Sequence, residues 1–580
     1  MCGGTTMKRF AAACRWLAGL FMAAGLGSQA LADCLPVERL GPAPTRLVVI
    51  TPATGQGRAQ WESFIAKMKT EPASQDMALL FFEHGITMTS QGTALDHARI
   101  LSSCIAEKLV SDPHLVSVTL MGHSIGGMIT RRAYLEAAAD SDPARRWSAR
   151  VDNILLFTSV NRGVPAEARI AWWAPAADWL MRTVPRFGLP VHFVLEDMMR
   201  GSDFIADTRI AWIRRFGQLA REGGVPKVVQ FWGTLDSVVI ESDNADLMSF
   251  SGDVEVRIPD ARHRDVQRLE PAYASDPGAR WATFRQYLFA PAGLVPPHPG
   301  TQTARRVLFV VRGIRDSSNA EWVSGLRKDA EKIYGEGNVV APEYGWFTAA
   351  QFAMKPIRRR NIPSFRDLYA EELARNPNTE FDAIAHSNGT YIVAESLATT
   401  PSMRFRNLAL AAPVLPSEFD WNTLRERGQV QNVRYDTAVQ DWPVGILCPA
   451  LRALGYTDVG PAGLVLFGDT ANMNGGNGLR QVGWYPGGHG AALSPLNRAH
   501  LLQFANGGAD YSAGEDLRQE AGSLAIWSRL TPYLLWAVIL GGAAGLVYWK
   551  RKSSKAPRWR TVALSLAALF GVVYLVLDAY

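Results

Sequence analysis

The stretch VTLMGHSIGGMITRRAYLEAA, beginning at Val118, restricts what this chain can fold into more than any other. An apolar run from Val118 to Met121 meets a turn containing Gly122, Gly126 and Gly127, and from Met128 the residues favour a helix. Strand, sharp turn and helix follow within a few residues. A serine at the apex of such a turn is pushed out of the sheet with its hydroxyl exposed, and glycines two before and two after it relieve the crowding. Ser124 is therefore a candidate nucleophile.

The surrounding residues supply the sheet. From Arg46 to Leu288, apolar runs alternate with helical stretches, the pattern of a mostly parallel sheet with helices on both faces. The expected strands are RLVVIT (from Arg46), ALLFFE (Ala78), SVTLMG (Ser117), NILLFTS (Asn153), KVVQFWG (Lys227) and VEVRIP (Val254). A Pro- and Gly-rich linker, 291–304, interrupts them, and the alternation then restarts. The second set is RRVLFVVRG (Arg305), NVVAPEYG (Asn338), FDAIAHSNG (Phe381), NLALAAPV (Asn407), VQNVRYD (Val430) and LRQVGWY (Leu479). It contains a second turn of the same kind, AHSNG, with Ser387 at the apex and Ala385 where the first has glycine.

A serine hydroxyl needs a base to take its proton and a carboxylate to orient that base. Asp236 in FWGTLDSVV and His263 in VRIPDARHRDV each follow a later strand and fit these roles. The other histidines of this half, His84, His97, His114, His123 and His192, fall elsewhere on the expected topology, and His123 would point away from the serine hydroxyl. In the second half the candidates are Asp441, with Asp436 as a rival, and His489, with His500 behind it in an expected helix.

These features resemble the α/β-hydrolase fold, and in the first half, more narrowly, lipases and GPI inositol-deacylase-like esterases. GHSIGG matches their elbow, and SVNRGVPA from Ser159 looks like the turn such enzymes carry after the following strand. The resemblance implies two tandem α/β-hydrolase domains, 33–290 and 305–510, and a Ser-His-Asp triad in each. Where many relatives have His-Gly after the first core strand, this chain has TPATGQG, so the oxyanion donors expected are the backbone N–H groups of Ile125 and of Ala53 or Thr54, Pro52 having none. For the second site they are Asn388 and Ile314, with Arg312 where histidine is commoner. An insertion with Trp172, Trp173, Trp179, Leu180 and Phe187 is either core packing or a lid and acyl-chain groove.

The ends of the chain suggest export. Lys8, Arg9 and Arg15 precede the apolar run WLAGLFMAAGLGS, and Ala30 to Ala32 offer a cleavage site, so 1–32 reads as a signal peptide. LADC, ending at Cys34, resembles a lipoprotein box apart from Asp33. Near the other end, apolar runs at 532–549 and 561–579 each approach the length that crosses a bilayer, and the loop 550–560 between them carries six cations and no anion. The positive-inside rule puts that loop in the cytoplasm and both hydrolase domains on the extracytoplasmic, periplasmic side of the cytoplasmic membrane. This one block accounts for the formal charge of +6, so no nucleic-acid surface is expected. Cys34 and Cys104 can pair in an oxidising compartment, and no cysteine cluster suggests a metal.

The sequence thus reads as a membrane-anchored serine hydrolase acting on a lipid or other apolar acyl ester, with no cofactor. An acyltransferase using the same triad, and a catalytically silent binding or assembly protein, are the alternatives.

Overall fold

A computed structural model describes residues 33–165, 192–239, 253–290, 304–314, 320–343, 348–464, 479–507 and 523–552. The signal segment, the tryptophan-rich insertion, the linker up to residue 303 and the second apolar run at 561–579 lie outside the described residues. The chain divides into two compact units, one of Met1–Gln302 with Leu373–Pro377 and one of Thr303–Glu372 with Asn378–Tyr580.

In the first unit, strands β3 (Arg46–Thr51), β4 (Met77–Glu83), β5 (Ser117–His123), β6 (Val151–Phe157), β7 (Lys227–Gly233) and β8 (Asp253–Ile258) lie parallel in the order β4-β3-β5-β6-β7-β8. Two short strands, β1 (Asp33–Cys34) and β2 (Glu38–Arg39), add antiparallel to β4. Helices α1 (Glu62–Thr70) and α5 (Pro277–Leu288) cover one face, where Trp61, Phe64, Phe157, Phe231 and Phe284 meet mostly edge to face. Helices α2 (Ala94–Ser111), α3 (Ile125–Ala139) and α4 (Asp203–Glu222) pack together, α3 between the other two. Because both faces are covered, every residue of β6 is buried, and its half Ile154–Phe157 reads as one apolar run rather than an alternation. A disulfide joins Cys34 to Cys104, tying β1 to α2 and committing the sulfur at which a lipoprotein would carry its lipid.

The second unit repeats the plan. Strands β9 (Arg305–Val311), β10 (Val339–Val340), β11 (Thr379–His386), β12 (Phe405–Ala411), β13 (Val430–Ala438) and β14 (Leu479–Tyr485) are parallel in the order β10-β9-β11-β12-β13-β14. Counted along the chain, both parallel runs read 2-1-3-4-5-6. The order reverses beside β3 in one and β9 in the other, and ligands of such sheets bind at the strand carboxyl ends next to that reversal. Strand β10 is shorter than its apolar run suggests: Pro342 lacks an N–H for the ladder and ends it at a sheet edge. Helices α6 (Glu321–Tyr334), α7 (Asn388–Thr399), α8 (Cys448–Ala453), α9 (Pro495–Gly507) and α10 (Ser523–Lys552) belong to this unit. Among the described residues α10 alone is long and apolar enough to cross a membrane; it encloses the expected span and runs through Pro532.

Candidate active sites

Both serines stand where strand turns into helix. Ser124 joins β5 to α3 with φ 55°, and Ser387 joins β11 to α7 with φ 53°. An L-residue is strained at such angles by about 1–3 kcal/mol, and the surroundings hold it there. The same bonds do so twice. Ser124 N–H donates to Phe157 O and Ser387 N–H to Ala411 O, while Ser124 O accepts from Gly127 N–H and Ser387 O from Thr390 N–H. Glycine is required after each serine: a Cβ at Gly126 would lie 2.3 Å from Pro52 O, and one at Gly389 would lie 2.1 Å from Val311 O.

In the first unit the loops after β7 and β8 bring the remaining residues to the serine. His263 Nδ1–H donates to Asp236 Oδ2 at 2.9 Å, which leaves Nε2 as an acceptor; it stands 2.7 Å from Ser124 Oγ and receives that hydroxyl's proton in a hydrogen bond. The Asp236 side chain is buried and also accepts from Val238 N–H and Val239 N–H, so the carboxylate cannot swing away. Ser124, His263 and Asp236, the candidate nucleophile, base and orienting acid, form one continuous hydrogen-bonded chain.

Ile125 begins α3, so its N–H belongs to the helix's unpaired first turn, at the positive end of the helix dipole. The loop after β3 lies against Gly126, which puts Ala53 beside the elbow. His84 fixes that loop: Ile86 N–H donates to His84 Nδ1, so Nε2–H donates to Pro52 O and locks the plane of the Pro52–Ala53 peptide. Burial pushes the His84 imidazole down to about 4 and keeps it neutral.

Sequence reasoning missed a role for His123. It does point away from the Ser124 hydroxyl: its Nε2–H donates to the His263 carbonyl at 2.6 Å, and its Nδ1 faces the Gln56 carboxamide at 3.1 Å. Gln56 in turn donates to Arg264 O. Burial, reinforced by the charge His263 would carry, lowers His123 to about 3, so it works as a neutral clamp on the loop that carries the base. The signal was present in the sequence, because a histidine precedes the serine in both elbows.

In the second unit His386 Nε2–H likewise donates to the His489 carbonyl, at 3.1 Å. His489 Nδ1 lies 2.9 and 3.0 Å from the two oxygens of Asp441, which is fully buried and accepts from Val444 N–H. The rival Asp436 is occupied elsewhere, held by Arg434 and the Tyr485 hydroxyl. His500 lies on α9, as expected of a helical residue. Asn388 opens α7, and a Cβ at Gly313 would meet Ser387 Oγ at 3.3 Å, so the loop carrying Ile314 passes over the nucleophile. Among the described residues no group of side chains forms a cluster able to hold a metal ion.

Strand order, elbow position and the loops bearing acid and base define each unit as an α/β-hydrolase fold. No family model matches the sequence, and no curated protein matches it. Solved structures similar to it include an enol-lactonase from Burkholderia xenovorans LB400 (15% identity over 44% of this chain and 96% of that one, TM-score 0.27). They also include a thermophilic esterase from Thermogutta terrifontis (13%, 45% and 92%, TM-score 0.29) and a lipase-esterase related protein from Clostridium acetobutylicum (11%, 45% and 100%, TM-score 0.26).

Proposed function

We propose that the protein is a membrane-anchored serine hydrolase that cleaves carboxylic esters of apolar acyl groups, with Ser124, His263 and Asp236 as its principal triad and Ser387, His489 and Asp441 as a second. The observation that carries this reading is the unbroken Ser124–His263–Asp236 hydrogen-bond chain at a strained strand-to-helix turn. As the Ser124 oxygen forms its bond to the acyl carbon, its proton passes to His263 Nε2, and Asp236 stabilises the imidazolium that results. The carbonyl oxygen becomes an anion, for which the N–H groups of Ile125 and Ala53 are the donors. His263 returns the proton to the leaving alcohol; water, deprotonated by the same histidine, then attacks the acyl-enzyme and frees the acid.

The Cys34–Cys104 disulfide supports an oxidising, extracytoplasmic location, and α10 supports an anchor. The fit of the first half to lipase-like and inositol-deacylase-like sequence patterns supports a lipid ester as the substrate class.

Intact-mass detection of fluorophosphonate labelling tests the assignment. The serine oxygen displaces fluoride from phosphorus only when a neighbouring base takes its proton. The full chain is expected to gain an adduct that Ser124→Ala removes; ester turnover is expected to fall in that variant to what Ser387 supports, and by a factor on the order of 10⁴ or more when Ser387→Ala is added. Full turnover by Ser124→Ala would sink the assignment.

A further inference from the structure

The long helix α10 has two unlike parts. From Leu530 to Trp549 its twenty residues include none that is charged, and at about 1.5 Å per residue they span about 30 Å, the thickness of a bilayer's hydrocarbon. Val538, Ile539, Leu540 and Tyr548 in this part are exposed. The seven residues before it, Ser523 to Arg529, end in the helix's one charge ahead of Lys550 and are too many to fit inside the hydrocarbon as well. They belong at the level of the lipid headgroups, where exposed Trp527 and the Arg529 guanidinium are both favoured.

This outer part is not bare on every side. Ser528 is buried, and Leu524, one turn earlier on the same stripe, lies against Gly445, whose added Cβ would meet Leu524 Cγ at 3.0 Å. Helix α10 packs on the π-helical turn Pro443–Leu447 and on α8, which follows it directly. That seat is the wall of the second site. Val444 N–H donates to Asp441 Oδ1 and Gly445 N–H to Asp441 O, so the carboxylate that holds His489 is fixed by the same residues that receive the helix. At either end of the seat stands an exposed apolar side chain, Trp442 beside the carboxylate and Leu454 after α8.

We propose that Trp442–Leu454 is a membrane-contact surface, lying in the headgroup layer because α10 enters the bilayer from it, and that the ester reaching Ser387 is a lipid of that bilayer. The depth follows from the helix: residues packed on Ser523–Arg529 share its level. The second clause rests on Ser387 being a nucleophile, as proposed above; the first does not.

The full chain in phosphatidylcholine–phosphatidylglycerol liposomes, doped with a phospholipid that carries a diazirine next to its glycerol, tests both clauses. After illumination, mass mapping is expected to find adducts within Trp442–Leu454 at a yield within about threefold of those at Trp527. Adducts at Trp527 with none between Trp442 and Leu454 would overturn the surface. Fluorophosphonate labelling of Ser387 in the same liposomes reads the chemistry separately. Photoadducts without a Ser387 adduct keep the surface and overturn the lipid-ester clause; a Ser387 adduct without photoadducts keeps the hydrolase reading and overturns the surface.

Discussion

The two elbows share strand order, backbone angles and a histidine clamp, yet they are built from different side chains. Under the first, Gly122 and Gly127 meet so closely that a Cβ at Gly122 would lie 2.5 Å from Gly127 Cα, and one at Gly127 would lie 2.2 Å from Ser159 Oγ. In the second the matching residues are Ala385 and Thr390, both fully buried, and Thr390 puts its hydroxyl to use, donating to Ser387 O and accepting from Val414 N–H. One elbow closes by removing side chains and the other by bonding one. Alanine at the first position of the motif is therefore tolerated or not according to what the following helix presents, which five residues read alone do not reveal.

The sharpest way to break the comparison is to remove each base. His263→Ala is expected to slow fluorophosphonate labelling of Ser124 by about 10²–10⁴-fold, the range of general-base assistance. His489→Ala is the matching test of the second site, where Asp441 holds the imidazole in the same way. Equal losses would show that the second site closes as fully as the first. Reduction of Cys34–Cys104 comes next: opening a cross-link between residues 70 apart in sequence should cost about 4 kcal/mol, read as faster amide exchange in peptides from 33–290 and not in those from 305–507.

Gly122→Ala should cost about 1–3 kcal/mol by overpacking and reduce Ser124 labelling, whereas Ala385→Gly should cost about 0.5–1 kcal/mol and leave Ser387 labelling nearly unchanged. Similar losses in both would refute the distinction. A separate effect is on pH dependence. His84 and His123 titrate near 4 and 3 in the folded unit but near 6.5 when unfolded, so the unfolded chain takes up protons first as the pH falls. Their contribution to stability is whole above pH 6.5 and declines from there, to about pH 4 for His84 and about pH 3 for His123. His192 acts in the opposite sense: Asp197 and Glu196 raise it to about 10, so its contribution is present below pH 6.5 and is lost as the pH rises to about 10. Amide exchange in the first unit should accordingly be slowest near pH 6.5 after correction for the intrinsic rate.

Most of the sheet was legible because its strands are covered on both faces, and runs such as NILLF have no other use in a folded chain. The candidate acid and base of each site were named from their position just past a strand, and the fold brings each pair within hydrogen-bond distance. What could not be read were contacts between distant segments that depend on a backbone carbonyl or on a missing side chain. The His123 clamp acts on a carbonyl 140 residues away, and carbonyls leave no trace in composition. Asp436 stood as a rival to Asp441, and only the fold shows that Arg434 and Tyr485 hold it. The seat of α10 depends on Gly445 admitting Leu524, a fit that no local pattern encodes.

The order of the elements along the chain also gives the two candidate sites unequal covalent ties to α10. The three candidate residues of the first site lie between residues 124 and 263, and the backbone from them to α10 passes through 291–304. A single proteolytic cut in that stretch would leave Ser124, His263, Asp236 and the disulfide on a piece without α10, while Ser387, His489 and Asp441 stayed covalently joined to it.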